Sequence, residues 1–268
     1  MIKRQSTRWM FAVFVMLTAA FVALPARPQA SSAIVQQPPV KMVLAEYATG
    51  TWCPYCPGSS GALKRLEERV GTNNLAVLAY HDDSQFGNEA AEAWLAQASI
   101  SAFPTVIFNG LYRRVGGSTN PNETSIDAGY NSVYNLAKQR PLPVDVALSG
   151  RLLMESPAVS RIEFTVTVTA LTDVPSPAQL QFVLYEDNIN YRASNGESHF
   201  DWVVRKKLPP APLTLTMAGQ TETFERSFLY DGRQYRYRSN PMQLGIVAYV
   251  HLNASRPEVL QAARLQLY

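Results

Sequence analysis

Apolar residues recur along this chain with two periods, and the change between them falls near residue 140. Before it, short apolar runs alternate with segments whose apolar residues return every three or four positions, the mark of strands and amphipathic helices in turn. Residues 42–48 read as a strand. In the segment after it, Leu63, Leu66 and Val70 share one face while Lys64, Arg65, Glu67, Glu68 and Arg69 cover the rest, which predicts a helix. Gly71-Thr-Asn-Asn74 stops that helix, and the apolar run 75–80 predicts a second strand, parallel to the first across the helical connection. A short helix over 90–98 contains Trp94. Pro104 opens a third strand, and Asn109-Gly110 between apolar runs predicts a hairpin into 111–115. A last helix over 122–139 places Ile126, Tyr130, Val133 and Tyr134 on one face.

Pro141-Leu-Pro143 marks a boundary, and strict alternation takes over beyond it: Ile162, Phe164, Val166 and Val168 against Arg161, Glu163, Thr165, Thr167 and Thr169. Further strands are expected over 180–185, 202–206, 221–230, 234–238, 245–252 and 260–267, with turns at Asn195-Gly196 and Asp231-Gly232. The expected architecture is an α/β domain over 41–140 followed by an all-β, sandwich-like domain over 141–268. A membrane barrel fits poorly, because the face of Tyr268 also holds Gln266 and Arg264.

The N-terminus adds a destination. Lys3, Arg4 and Arg8 precede the almost wholly apolar stretch 9–24, and the small residues Ala26 and Ala30 follow, the pattern of an export signal over 1–30. Residues 31–40 read as a leader. The apolar run is short for a span of about 20 residues, so a cleaved signal with no spanning segment after it is expected, and an uncleaved anchor is the second reading. The formal net charge of +3 is carried by the basic residues of the N-terminus, Lys3, Arg4 and Arg8, with Arg27 also before Ala30, which leaves the mature chain near neutral. Nothing in that balance selects nucleic acid. Export to a periplasm or cell envelope also allows a cysteine pair to persist oxidised.

That pair is the chain's candidate chemistry. Both of its cysteines, Cys53 and Cys56, lie in Thr49-Gly-Thr-Trp-Cys-Pro-Tyr-Cys-Pro-Gly58, between the first strand and the first helix. A thiol just before a helix N-terminus meets free N–H groups and the positive end of the dipole, which favour a thiolate and hence a nucleophilic Cys53. Cys56, about one turn further on, is expected to be more covered and to resolve a mixed disulfide. A purely structural disulfide is the alternative. A zinc site lacks a second cysteine or histidine pair at ligand spacing, so no metal and no cofactor beyond the dithiol is expected. His199 and His251 stand alone, and His81-Asp82-Asp83 reads as the loop ending the second strand. The run Arg233-Gln-Tyr-Arg-Tyr-Arg238 mixes bases and aromatics, but on a strand Tyr235 and Tyr237 face one way and Arg236 and Arg238 the other.

The element order, the Cys-x-x-Cys after the first strand and the proline opening the third resemble thioredoxin over roughly a hundred residues. That resemblance implies a cis Pro104 facing the cysteine pair and a substrate groove shaped by Trp52, Pro54, Tyr55, Phe103 and Pro104. It also implies a buried acid near the position of Glu46, which would move the proton of the second cysteine; one residue more separates acid from cysteine here than in that family. Cys-Pro-Tyr-Cys, with Phe103-Pro-Thr-Val-Ile-Phe-Asn-Gly and Gly116-Gly117, also resembles glutaredoxins and implies a glutathione-dependent reductase as an alternative. The export signal, Glu46-Tyr-Ala-Thr-Gly-Thr-Trp-Cys, His81, the Phe-Pro-Thr strand and the all-β tail together resemble the 28-kDa outer membrane protein family. The expected activity is thiol–disulfide exchange with thiols or disulfides of other exported proteins and a further redox partner. A cell-envelope binding or adhesion module on a redox-silent scaffold is the contrasting expectation.

Overall fold

The computed structural model describes residues 39–237, 240–254 and 257–267, so the segments expected to be an export signal (1–30) and most of a leader (31–40) lie outside the described residues. The first half runs β1 (Val43–Thr49), α1 (Cys56–Val70), β2 (Leu75–His81), α2 (Glu89–Gln97), β3 (Thr105–Phe108), β4 (Tyr112–Val115) and α3 (Asp127–Lys138). Local chemistry sets several of the ends. Gly71, at φ 85°, closes α1 with its N–H on the Glu67 carbonyl. The Asn88 side chain caps α2 by accepting from the N–H groups of Ala90 and Ala91. Asn109 and Gly110 both take positive φ, 47° and 71°, as the hairpin requires. α3 starts later than the helical periodicity predicts, because the stretch before it is spent on turns: Asn120 and Thr124 accept from Glu123 and Asp127 N–H, and the Glu123 carboxylate from Ser125 N–H.

The second half contributes β5 (Val144–Ser156), β6 (Val159–Ala170), β7 (Ala178–Glu186), β8 (Ile189–Asn190), β9 (His199–Phe200), β10 (Val203–Leu213), β11 (Thr221–Asp231), β12 (Leu244–Leu252) and β13 (Val259–Gln266). β5 was not anticipated. Its alternation fails where Ser149-Gly150-Arg151 interrupts it, and Gly150 leaves room for the Phe164 side chain, which stands 2.7 Å from where a Cβ would be. The strand expected over 234–238 is absent across its described residues: Gly232–Gln234 form a 3-10 turn and Tyr235–Tyr237 a bend. The two tyrosines do point inward, as anchors of that bend. Tyr235 donates to the Arg205 carbonyl at 2.6 Å, and Tyr237 packs on Phe86.

Strands of both halves form one eight-stranded sheet, ordered β13-β12-β7-β10-β2-β1-β3-β4, and β11-β6-β5 form a second sheet. β1 and β2 are parallel, and β3 and β4 add antiparallel. The halves meet where β10 joins the outer edge of β2 at Val203 and Ala79, with Ala79 N–H on the Trp202 carbonyl at 2.8 Å. Phe182, Leu184, Ile246, Ala248 and Val250 pack against Ile162, Phe164 and Val166 of the small sheet, a sandwich core. Val43, Ala45, Tyr47, Val77 and Phe108 pack beneath α1 and α3. A third cluster belongs to both halves: Leu44, Leu78, Tyr80 and Trp94 of the first pack with Val183, Tyr185, Val247 and Tyr249 of the second. The sheet curls far enough for β13 to reach the start of β1, where Lys41 Nζ donates to the Leu260 carbonyl at 2.6 Å and Met42 N–H to Gln261 Oε1 at 2.9 Å.

Because one apolar cluster is built from both halves, a fragment ending at residue 140 would expose the faces of β1, β2 and α2 that Val183, Val247 and Tyr249 cover. Residues 39–140 alone are expected to show no cooperative urea transition. Residues 39–268 should unfold once, with far-ultraviolet circular dichroism and tryptophan fluorescence superimposing. Two separated transitions in the longer chain, or a folded fragment, would show that the shared cluster is dispensable.

Candidate redox site

β1 delivers the chain to a tight turn at its C-terminal end. Cys53 N–H bonds the Gly50 carbonyl at 3.0 Å and Cys56 N–H the Cys53 carbonyl at 3.3 Å. Cys53 and Cys56 are joined as a disulfide, with sulfurs 2.10 Å apart. α1 begins at Cys56 itself, with Pro57 in its first turn, where a missing N–H costs nothing. Cys56 is thus the first helical residue rather than one turn inside. Both cysteines are covered, Cys53 at 1% and Cys56 at 0% exposure, so the expected contrast between an open and a covered sulfur does not hold in this oxidised state.

The residues around the pair are the ones the groove expectation named. Trp52 and Tyr55 are about half exposed, at 49% and 55%, and Pro54 is exposed between them. Phe103 meets Trp52 edge-on with ring centroids 5.4 Å apart, and the Phe103–Pro104 bond is cis. Gly117 brings Pro104 to the start of α1: a Cβ there would lie 2.2 Å from the Tyr55 carbonyl oxygen and 2.9 Å from the Pro104 ring. Gly58 N–H, one of the free donors of the first helical turn, is taken by the Ser118 carbonyl at 2.7 Å.

The cysteine turn is held from two sides, by the strand-end loop His81-Asp82-Asp83 and by a segment of the second half that the sequence marked only as a turn. From the end of β2, Asp83 Oδ2 accepts from Thr51 N–H and meets His81 Nδ1, each at 2.9 Å, while Oδ1 takes the N–H groups of Gln85 and Phe86. Burial opposes ionisation of Asp83, but His81 and these N–H donors outweigh it and hold the carboxyl well below the usual range. From the second half, the loop between β8 and β9 reaches across. Ser194 Oγ and Asn195 N–H donate to the Thr51 carbonyl at 3.0 and 3.1 Å, and Asn195 Nδ2 to the Cys53 carbonyl at 3.2 Å. The same amide donates to Glu197 Oε2 at 2.8 Å. Beneath the pair, Tyr47 Oη donates to the Cys56 carbonyl at 2.9 Å. Asn195-Gly196 read only as a turn; nothing local signals that its side chain crosses to a cysteine loop far away in sequence.

Glu46 is placed elsewhere. It lies on the opposite face of β1 from Tyr47, with Tyr80 Oη 3.5 Å from its carboxylate, and lines a cavity of about 740 Å³ together with Trp94, Lys207, Tyr249 and His251. The structure therefore brings together Cys53, Cys56, Trp52, Pro54, Tyr55, Phe103 and Pro104, and leaves Glu46 on the far side of the sheet. Burial pushes the Glu46 carboxyl up to about 7, against the pull of Lys207 and hydrogen bonds from Trp94 and Tyr80. Among the described residues, no three His, Cys, Asp or Glu side chains converge as a metal site, and no helix is long and apolar enough to cross a membrane.

Glu46 has a pH signature of its own. The folded chain keeps its proton up to about pH 7, whereas the ordinary value is 4.5, so between those values the folded state binds more protons and stability falls as pH rises. Glu46→Gln should remove that slope. Relative to the unsubstituted chain, its urea stability should improve between pH 4 and pH 8 by on the order of 3 kcal/mol, at about 1.4 kcal/mol per pKa unit. Parallel stability–pH curves for the two proteins would contradict the assignment.

No family model matches the chain, and no curated protein does. Among solved structures, it is similar to HBP35 of Porphyromonas gingivalis, with a TM-score of 0.60 at 18% identity over 87% of this chain and 77% of that one. A domain of the outer membrane lipoprotein Omp28 from the same organism aligns over 46% of this chain and 87% of its own at 17% identity, with a TM-score of 0.26. The putative ApaA protein from Bordetella pertussis aligns over 48% of this chain and 96% of its own at 12% identity, also with a TM-score of 0.26. At such identities the first similarity speaks for a shared fold, a β-rich chain built on a mixed eight-stranded sheet, and the other two are too slight to add to it.

Proposed function

We propose that the protein is an exported thiol–disulfide oxidoreductase whose thioredoxin-like half, residues 41–140, is followed by an all-β half. The observation that carries this reading is a Cys-x-x-Cys disulfide closing at the first residue of a helix, flanked by the half-exposed Trp52 and Tyr55, with the Pro104 ring brought to the Tyr55 carbonyl across Gly117. In the reduced state, Cys53 lies before the N-terminus of α1, whose dipole favours its thiolate. That thiolate attacks a disulfide R–S–S–R′, forming Cys53–S–S–R and releasing R′–S⁻. The Cys56 thiol gives its proton to water and its sulfur attacks Cys53 Sγ; the bond between Cys53 Sγ and the sulfur of R breaks, R–S⁻ leaves with the electron pair, and the protein disulfide is restored. The substrate gains two electrons and the dithiol loses them, so no further cofactor enters. Exposed Trp52 and Tyr55 offer an aromatic surface to an exported protein partner, and the signal at residues 1–30 supports a periplasmic or cell-envelope location.

The burial of both cysteines favours a second reading, a binding module in which the disulfide is structural. Trapping separates the two. Cys56→Ser removes the release step but keeps the attack, so this variant in its native compartment should accumulate mixed disulfides with exported proteins that reductant dissolves. Cys53→Ser should trap at least about tenfold less, because the exchange reading assigns the attack to Cys53 and the remaining Cys56 lies fully buried in the first turn of α1. Non-reducing electrophoresis with mass spectrometry reads the result. A folded, abundant Cys56→Ser protein without adducts would favour the binding module.

A further inference from the structure

The cavity that holds Glu46 lies across the sheet from the cysteines and is built from both halves of the chain. At about 740 Å³ it has the size of a pocket for a small organic molecule. Its walls come from α2 and the β3–β4 hairpin of the first half and from β10, β12 and β13 of the second. Trp94, Ile107, Leu111, Tyr249 and Val259 give it apolar surface. Trp94 is fixed there by stacking on Tyr80, with ring centroids 4.2 Å apart, and the Tyr249 ring lies 5.7 Å from that of His251.

The charges in this apolar chamber do not balance. Besides Glu46 of β1, the charged side chains lining it are Arg113 of β4 and Lys207 of β10. Arg113 is spent on the end of α2, where it donates to the Ala98 and Ser99 carbonyls. The half-buried Lys207 makes no hydrogen bond and no ion pair among the described residues, and feels only the charge of Glu46. Glu46, with Tyr80 Oη 3.5 Å from its carboxyl, keeps its proton up to about 7, because burial outweighs the pull of Lys207. The other titratable groups facing it are neutral. Burial holds the Tyr80 and Tyr249 phenols well above their ordinary range. Burial also lowers His251, whose Nδ1 lies 3.1 Å from the Leu252 carbonyl and therefore carries the ring's proton. Below neutral pH the chamber thus presents one uncompensated ammonium beside one protonated acid.

We propose that this cavity binds a small monocarboxylate with an apolar body: the ligand carboxylate sits between the Lys207 ammonium and the Glu46 carboxyl, and its body lies against Trp94, Tyr249 and Val259. The site goes beyond the exchange reading and does not depend on it, since no cysteine lines the cavity. Protonated Glu46 donates to the ligand carboxylate, and Lys207 adds a charge-assisted hydrogen bond. A cationic head group would be repelled by Lys207, and a neutral one would leave the ammonium without a counter-charge. Ionised Glu46 repels the ligand, so binding weakens as pH rises through the value at which Glu46 loses its proton.

Octanoate, which stays ionised at pH 6 and above, is the probe, titrated into the protein by calorimetry. One equivalent should bind at pH 6 with a Kd below about 1 mM, a modest affinity for so small a molecule. Octylamine and octanol keep the tail and change the head, and should each bind at least about tenfold more weakly. Raising the pH from 6 to 8 should weaken octanoate about tenfold, and Glu46→Gln should abolish that slope. Lys207→Met should weaken octanoate about 10- to 100-fold, with Lys207→Arg recovering most of the loss. Absence of octanoate binding at about 1 mM, octylamine binding as tightly, or an affinity untouched by Lys207→Met overturns the proposal. If Lys207→Met does not fold, the three head groups and the two pH values decide on the unsubstituted protein: equal affinities for all three, with no slope, overturn it.

Discussion

β1 is buried along its whole length on both faces, and the rest of the molecule follows from that constraint. Successive side chains of a strand point to opposite sides, so β1 supplies alternate residues to two different cores. Val43, Ala45 and Tyr47 go under α1 and α3, while Leu44 and Ala48 go to the cluster shared with the second half. A polar residue on such a strand cannot be left to water. Tyr47 resolves this by donating to the Cys56 carbonyl, and Glu46 by facing a cavity in which its carboxyl is pushed toward neutrality. The side of the strand decides which of the two serves the cysteines.

Coverage of β1 depends in turn on β10. The parallel pair would present a bare outer edge at β2; β10 pairs there and carries β7, β12 and β13 with it. At the junction sits a buried ion pair, Arg205 Nε on Glu186 Oε2 at 2.7 Å, with the guanidinium 5.7 Å from the Phe86 ring centroid and 5.1 Å from that of Tyr235. Such a pair contributes little net stability against an apolar replacement, but breaking it would strand a buried charge, so its geometry is tightly held. Phe86 follows directly on the Asp83 turn, and Asp83 holds Thr51. A chain of contacts therefore runs from the joint between the halves to the cysteine turn, and the β8–β9 loop adds a second hold from the second half.

The covered state of the disulfide follows from these two holds. The carbonyls of Thr51 and Cys53 are both taken by the Ser194–Asn195 segment, and Trp52 is pinned by Phe103 and by its own indole N–H on the Asp82 carbonyl. Access to Cys53 requires one of these contacts to yield. Ser194 and Gly196 are exposed, and a loop held by a few hydrogen bonds opens at less cost than an apolar core.

The sequence by itself determined the local features. The cysteine pair between strand and helix, the order of the seven elements up to α3, the Asn109-Gly110 hairpin, the aromatic surroundings of the pair and the alternating strand β6 were all legible, because periodicity and turn chemistry act over a few residues. Tertiary structure decided the rest. Alternation shows that a strand has a buried face but not which surface covers it, so the pairing of β10 with β2 and the merging of both halves into one sheet were out of reach. The side of Glu46 turned on a single residue of spacing, since a shift by one flips a strand side chain to the other face. β5 escaped because Gly150 and its neighbours interrupt the pattern that packing against Phe164 then makes sense of. Asn195 carries a turn signature and nothing that points to the cysteines. It reaches the Cys53 carbonyl because the folded sheet returns the chain to it, and only the fold supplies that closure.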